Sequence, residues 1–254
     1  MPLNSIHPKA KVGKNVAIGS FTTIEEDVVI GDNTAIGPHV TIMSGARIGH
    51  NCQIFPGAVI GAIPQDLKFR GEKTKVIIGN HTTIREYVTI NRGTSSTTFV
   101  GNHVLLMAYV HIAHDCTIAD KVVIANTTQV AGHVTIDYHA VLGGKVVVHQ
   151  YIHIGAYTMV ASGTTIRKNV PPFIKIAREP IRYCGINTIG LQRCNFTLDL
   201  IHTLEKVYYI IYQQGLPLQV ALTFLQNNFT TSDKEVTMIL DFIQQSKNGI
   251  IKKI

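Results

Sequence analysis

Residues 100–130 read VGNHVLLMAYVHIAHDCTIADKVVIANTTQV. An aliphatic residue recurs at every sixth place: Val100, Leu106, Ile112, Ile118, Ile124 and Val130. The run continues through Ile136, Leu142, Val148, Ile154, Val160 and Ile166. The same period holds in an earlier phase from Ile6 to Ile60 and again at Ile78, Ile84 and Ile90. Two residues before each aliphatic stands a small or β-branched residue, as at Val16, Thr22, Ala46, Cys52 and Ala58. A helical period of 3.6 cannot carry this pattern. A short strand can, because residues two apart point to one side, and the next residues turn a corner. Three such faces close a triangular coil of eighteen residues, and coils stack at the parallel-strand spacing of ~4.8 Å. The expected fold is an all-β solenoid, a parallel β-helix of hexapeptide repeats, followed by a C-terminal α-helical domain.

The repeat breaks twice. Between Ile60 and Ile78 the aliphatic slots hold Asp66 and Glu72, so AIPQDLKFRGEKTK is expected to leave the coil as a loop near 62–75. Between Ile90 and Val100 the spacing is ten residues instead of six, and RGTSSTTF makes a second excursion near 92–99. Loops inserted into a rigid scaffold tend to carry function. The pattern ends at KNVPPF, which divides the chain into a β-helix over 1–170 and a helical domain over 171–254. Within the latter, 197–214 has apolar residues at helical spacing and stops at Gly215, and a second segment begins near Pro217. A third opens with a capping-box pattern, SDKE at 232–235, and stops at Gly249. Tyr208, Tyr209 and Tyr212 read as packing.

The chain has 254 residues, a net charge of +7 and 45% hydrophobic residues, which suits one large globular domain or two modest ones. No apolar stretch approaches the ~20 residues of a membrane span. The start MPLNSIHPKAK lacks an apolar signal core, so a cytoplasmic protein is expected. The four cysteines form no CxxC pair, and Cys52 and Cys116 fall on core positions, so reduced packing thiols are expected. The basic balance suits an acidic or phosphorylated partner. No dense Lys/Arg stripe or nucleic-acid motif is present, and no nucleic-acid partner is expected.

Stacking arithmetic brings polar residues together. One coil beyond His114 lies Gly132 and two coils beyond lies Gln150; Asp115 is followed by His133, and Ala113 leads to His149. His111 sits outward on the adjoining strand. Polar residues belong on a solenoid surface, so a solvated corner is the plain reading, but four histidines and a glutamine on one corner suggest a site. A histidine beside a carboxylate is a general base suited to neutral pH, with Asp115 or a backbone carbonyl orienting the ring. Three histidines could instead hold zinc with an open position. A non-catalytic binding scaffold is the third reading.

IAHDC at 112–116, AGHV at 131–134 and VHQY at 148–151, with QDLKFRGE at 65–72 and GINTIGLQR at 185–193, closely resemble the UDP-N-acetylglucosamine O-acyltransferases over nearly the whole chain. That resemblance implies a left-handed coil and transfer of a (R)-3-hydroxyacyl chain from acyl carrier protein to the 3-hydroxyl of UDP-N-acetylglucosamine, in lipid A biosynthesis. No cofactor or metal is implied. His114 would be the base, with Asp115 beside it among the catalytic residues and the Gly132 N–H meeting the thioester oxyanion. His111, His133, His149 and Gln150 would position the sugar and the acyl or pantetheine part, Gly144 would also bind substrate, and Ser162 occupies a slot that resembles the family's acyl-chain ruler. Gln65, Asp66 and Lys68 would meet the nucleotide sugar, and Asn187 and Arg193 the nucleotide and its phosphates. Members are trimers with sites between subunits. Asn91, Ile189 and Pro180 stand where the best-known members commonly carry histidine, glutamate and histidine. A γ-class carbonic anhydrase is also a trimeric histidine-bearing β-helix, but it does not explain QDLK or the GxNxxGLxR tail. The sister N-acyltransferase normally has an additional N-terminal domain, whereas repeats here start at Ile6.

Overall fold

The computed structural model describes residues 3–177, 180–229 and 234–252. Its strands form three sheets, of nine, eight and ten strands among the described residues. Along the coils each sheet takes every third strand in sequence, all parallel, and the ten-stranded sheet ends on Ile174–Ala177 and Arg182–Ile186, which pair antiparallel. Register follows the repeat: Thr23 pairs with Thr41, and Thr117 with Thr135. Contacts between neighbouring regular coils link residues 18 apart. Where the first excursion intervenes the separation is 30, and where the second intervenes it is 22. The first leaves after Val59–Ala62 and returns at Lys75–Ile78; the second leaves after Thr89–Asn91 and returns at Thr97–Val100. Both therefore lengthen corners while the ladder continues beneath them.

The aliphatic of each hexapeptide points into the prism. Ile42, Ile60, Ile90, Ile112, Val130 and Val148 stack along one face without solvent exposure. Cys52 and Cys116 are buried free thiols among them, and burial pushes the Cys116 thiol up to about 12. At the corners many residues take left-handed backbone geometry. Asn15, Asn33, Asn51, His81, His103, Lys121, His139 and Tyr157 form one such column, with φ between 55° and 59°. Non-glycine residues seldom adopt it, but here each N–H can join the ladder. Asn33 donates to the Lys14 carbonyl at 2.9 Å and His103 to the Asn80 carbonyl at 2.9 Å. Rings on such columns stack coil on coil, as His81 on His103 at 4.8 Å.

Beyond the coils come α1 (Thr188–Arg193), α2 (Leu198–Tyr212), α3 (Leu218–Asn228) and α4 (Lys234–Gln245). Thr197 caps α2, its side chain accepting from Leu200 N–H. Tyr208 is fully buried and donates its hydroxyl to the Pro172 carbonyl at 2.7 Å, which closes the end of the prism. Tyr208 and Tyr212 thus serve packing, whereas Tyr209 is exposed. The SDKE cap begins outside the described residues. No described helix is long and apolar enough to cross a membrane.

Candidate active site

The His114 corner is built from two parts, the regular coil and the second excursion. Asp115 takes left-handed geometry (φ 57°), and its own N–H donates to Thr98 Oγ1 at 2.9 Å. Its carboxylate accepts from the backbone N–H groups of Thr94 (3.0 Å), Ser95 (3.2 Å) and Ser96 (2.7 Å). Successive N–H groups converging in this way form an anion nest. RGTSS is therefore the mould of one carboxylate, a role that its loop position alone did not reveal. Burial pushes the Asp115 carboxyl up, but the bonds from His114, Thr94 and Ser96 outweigh it and hold it at about 2. Asp115 is ionised at neutral pH.

That carboxylate meets His114 Nδ1 at 2.8 Å. His114 is on the corner yet only 6% exposed. Gly132, one coil along, makes the room. A Cβ on Gly132 would lie 2.5 Å from His114 Cε1 and Nε2. Gly132 is buried, and its N–H has no acceptor among the described residues. His114 Nε2 is 3.9 Å from Asp66 Oδ2, beyond hydrogen-bond distance.

A cavity of about 260 Å³ opens beside this ring, with Gln65, Asn91, His111, His114, Gly132 and Gln150 in its wall. Five of these were expected from the sequence; Asn91 had been noted only as a departure from the family's usual residue. His111 bonds Thr89 Oγ1 through Nδ1 at 2.7 Å, and burial, then the charge of His114, lowers its pKa. At neutral pH it is therefore an uncharged ring. Asp66 is half-buried, and the Lys68 N–H donates to it at 3.0 Å. That bond, and more weakly the charge of His114, holds its carboxyl below the usual range against burial.

Other expected residues lie elsewhere. His133 sits behind the dyad, its Nε2 3.7 Å from Asp115 Oδ2 and its ring stacked on Tyr151 at 4.7 Å. His149 and Ser162 are exposed and Gly144 is half-buried, and all three lie outside the cavity wall. The amide of Asn187 is committed within the chain: Oδ1 accepts from Gly190 N–H to cap α1, and Nδ2 donates to the Tyr157 carbonyl at 2.9 Å. Arg193 ends α1, exposed and without an ion-pair partner among the described residues. His114, Asp115 and His133 offer metal-ligand atoms within 4.8 Å of one another. The Asp115 oxygens, however, already accept bonds from the nest and from His114, so the set reads as a hydrogen-bonded histidine–carboxylate pair.

Residues 169–251 match the family model described as UDP-N-acetylglucosamine O-acyltransferase, domain 2. Residues 9–44, 27–62 and 97–132 match the bacterial transferase hexapeptide model. A relative from Herminiimonas arsenicoxydans, named acyl-[acyl-carrier-protein]--UDP-N-acetylglucosamine O-acyltransferase, is 42% identical over 253 residues, 97% of each chain. A protein of the same name from Pseudomonas fluorescens is 41% identical over 196 residues, 76% of each. The crystal structure of a UDP-N-acetylglucosamine acyltransferase from Bacteroides fragilis superposes with a TM-score of 0.96 at 47% identity, covering 99% of each chain. One from Francisella novicida gives 0.96 at 36% identity, covering 100% of this chain and 94% of the other.

Proposed function

The chain belongs to the UDP-N-acetylglucosamine O-acyltransferase family and is an acyl-carrier-protein-dependent O-acyltransferase, and from that premise we propose a mechanism centred on His114. In it a (R)-3-hydroxyacyl chain passes from acyl carrier protein to the 3-hydroxyl of UDP-N-acetylglucosamine, a step of lipid A biosynthesis. The observation that carries the role of His114 is the Asp115–His114 pair beside the cavity. An ionised Asp115 keeps the proton on Nδ1, so Nε2 is the basic nitrogen. Nε2 takes the proton of the sugar hydroxyl as its oxygen attacks the thioester carbonyl. The Gly132 N–H, without an acceptor among the described residues, donates to the oxyanion of the tetrahedral intermediate. Collapse breaks the carbon–sulfur bond, and the departing thiolate takes the proton back from Nε2.

Gln65, Asp66, Lys68, His111 and Gln150 are assigned to the sugar nucleotide, and His133 to supporting Asp115. His149, Gly144 and Ser162 are assigned to the acyl and pantetheine path. Arg193 meets the nucleotide phosphates, where its planar fork fits, and Asn187 positions it by capping α1. The net charge of +7 favours an acidic carrier protein. The working form is a homotrimer with sites between subunits, and the soluble carrier places the reaction in the cytoplasm. The test is acyl transfer by purified protein given UDP-N-acetylglucosamine and a series of 3-hydroxyacyl carrier proteins. Turnover is expected in the wild type. In His114→Ala, kcat should fall by about 10²–10⁴, with a smaller effect on sugar affinity. A folded His114→Ala protein with near-normal turnover overturns the base assignment.

A further inference from the structure

We propose that Asn91, a residue that lines the cavity, reads the acceptor sugar, its buried side-chain oxygen serving as a fixed acceptor for a hydroxyl or amide N–H of the hexosamine. The proposal rests on the reading of this cavity as the sugar site. Asn91 is 3% exposed. Its Nδ2 donates to the carbonyls of Ile63 (3.1 Å) and Ala62 (3.4 Å), where the first excursion leaves the coil. Turning the amide over would set Oδ1 against both of those oxygens, so its orientation is determined by its surroundings. The Oδ1 atom is buried and has no partner among the described residues. Four buried side-chain polar atoms lack partners among the described residues, and three lie on one short stretch: Asn91 Oδ1, Arg92 Nε and Thr94 Oγ1. A buried carbonyl oxygen left unpaired is unfavourable. Its retention on a residue that lines a cavity points to a ligand that completes it.

The chemistry restricts what that ligand group is. An amide oxygen accepts and cannot donate, so the matching group must carry hydrogen. The attacking hydroxyl has one hydrogen, and the mechanism gives it to His114 Nε2. Asn91 therefore pairs with a different donor of the same sugar: a neighbouring hydroxyl or the acetamido N–H. An acceptor with an amine in place of the reacting hydroxyl is the one case in which the reacting atom itself has a second hydrogen for Asn91.

Calorimetric titration tests this with UDP-N-acetylglucosamine and with analogues each altered in one donor: the 4-deoxy and 6-deoxy sugars, the N–H-to-ester-oxygen sugar, and the 3-amino-3-deoxy sugar. Asn91→Ala should weaken UDP-N-acetylglucosamine about three- to tenfold, the range of one neutral hydrogen bond. One donor-deleted analogue should bind the wild type more weakly by a similar factor yet lose nothing further in Asn91→Ala. Unchanged sugar affinity in Asn91→Ala overturns the proposal, as does an equal further loss for every analogue. The latter is what a purely structural clamp on the 62–63 carbonyls predicts. If Asn91→Ala shows no cooperative melting transition, Asn91→Ser serves in its place, since it also removes the amide oxygen from the wall. A wild type that binds no UDP-N-acetylglucosamine defeats the sugar-site reading itself, whereas a binding wild type with an indifferent Asn91→Ala defeats only the role of Asn91.

Discussion

His114 and Gly132 occupy adjoining coils and share one volume. The residue at 132 must lack a side chain because the imidazole of the preceding coil fills the space where a Cβ would stand, 2.5 Å from Nε2. Gly132 does not have a positive φ, so alanine is permitted by the backbone and excluded only by the ring. Gly132→Ala should therefore cost about 1–3 kcal/mol in stability, the usual penalty for overpacking, and abolish turnover by displacing Nε2. Removing the ring removes the clash. The double variant Gly132→Ala, His114→Ala should melt above Gly132→Ala alone, a non-additivity that a double-mutant cycle of urea midpoints measures. Additive effects would mean that the two residues do not share this space.

At the scale of an element, the second excursion and the Asp115 corner act as one unit. Three loop N–H groups and His114 surround one carboxylate, and its folded pKa of about 2 compares with about 3.9 for a free aspartate. A carboxylate depressed by folding stabilises the protein above its unfolded pKa and loses that contribution as pH falls through the folded value. The contribution of Asp115, at most about 2–3 kcal/mol, should be whole near pH 5 and gone by about pH 1, below both pKa values. Urea midpoints of wild type and Asp115→Asn measured across that range should converge as pH falls from about 4 to about 2. A gap that stays constant would place the loss in packing instead. The same variant should lower kcat at neutral pH, because an amide leaves the tautomer of His114 undetermined.

For the whole molecule, the distribution of exposed apolar groups bears on assembly. Leu67 is 94% exposed at the loop that also carries Asp66, and Ile63 nearby is 56% exposed. Ile189, beside the capped start of α1, is likewise exposed. Exposed apolar groups of this size suit burial against a second copy of the chain. Sedimentation at working concentration should give a trimer. Leu67→Asp should weaken assembly and turnover together while leaving the coil's far-ultraviolet spectrum unchanged. A stable, fully active monomer would remove the shared-site reading.

The coil was legible in the sequence because its physics is local. Each hexapeptide repeats one demand, an inward aliphatic at a fixed interval, so Ile112, Val130 and Val148 determine their own stacking and, with it, the columns His114–Gly132–Gln150 and Asp115–His133. Both excursions could be located for the same reason, as failures of that interval. What happens at the tip of an excursion has no period to report it. Tertiary structure alone decided that the N–H groups of Thr94, Ser95 and Ser96 turn toward Asp115, and that His133 lies behind the dyad. It likewise decided that Asn187 commits its amide to α1 and Tyr157, and that Asn91 lines the cavity with a buried oxygen unpaired among the described residues. These depend on backbone groups from segments far apart in sequence, whose directions are set only once the coils have stacked and the two loops have closed over them.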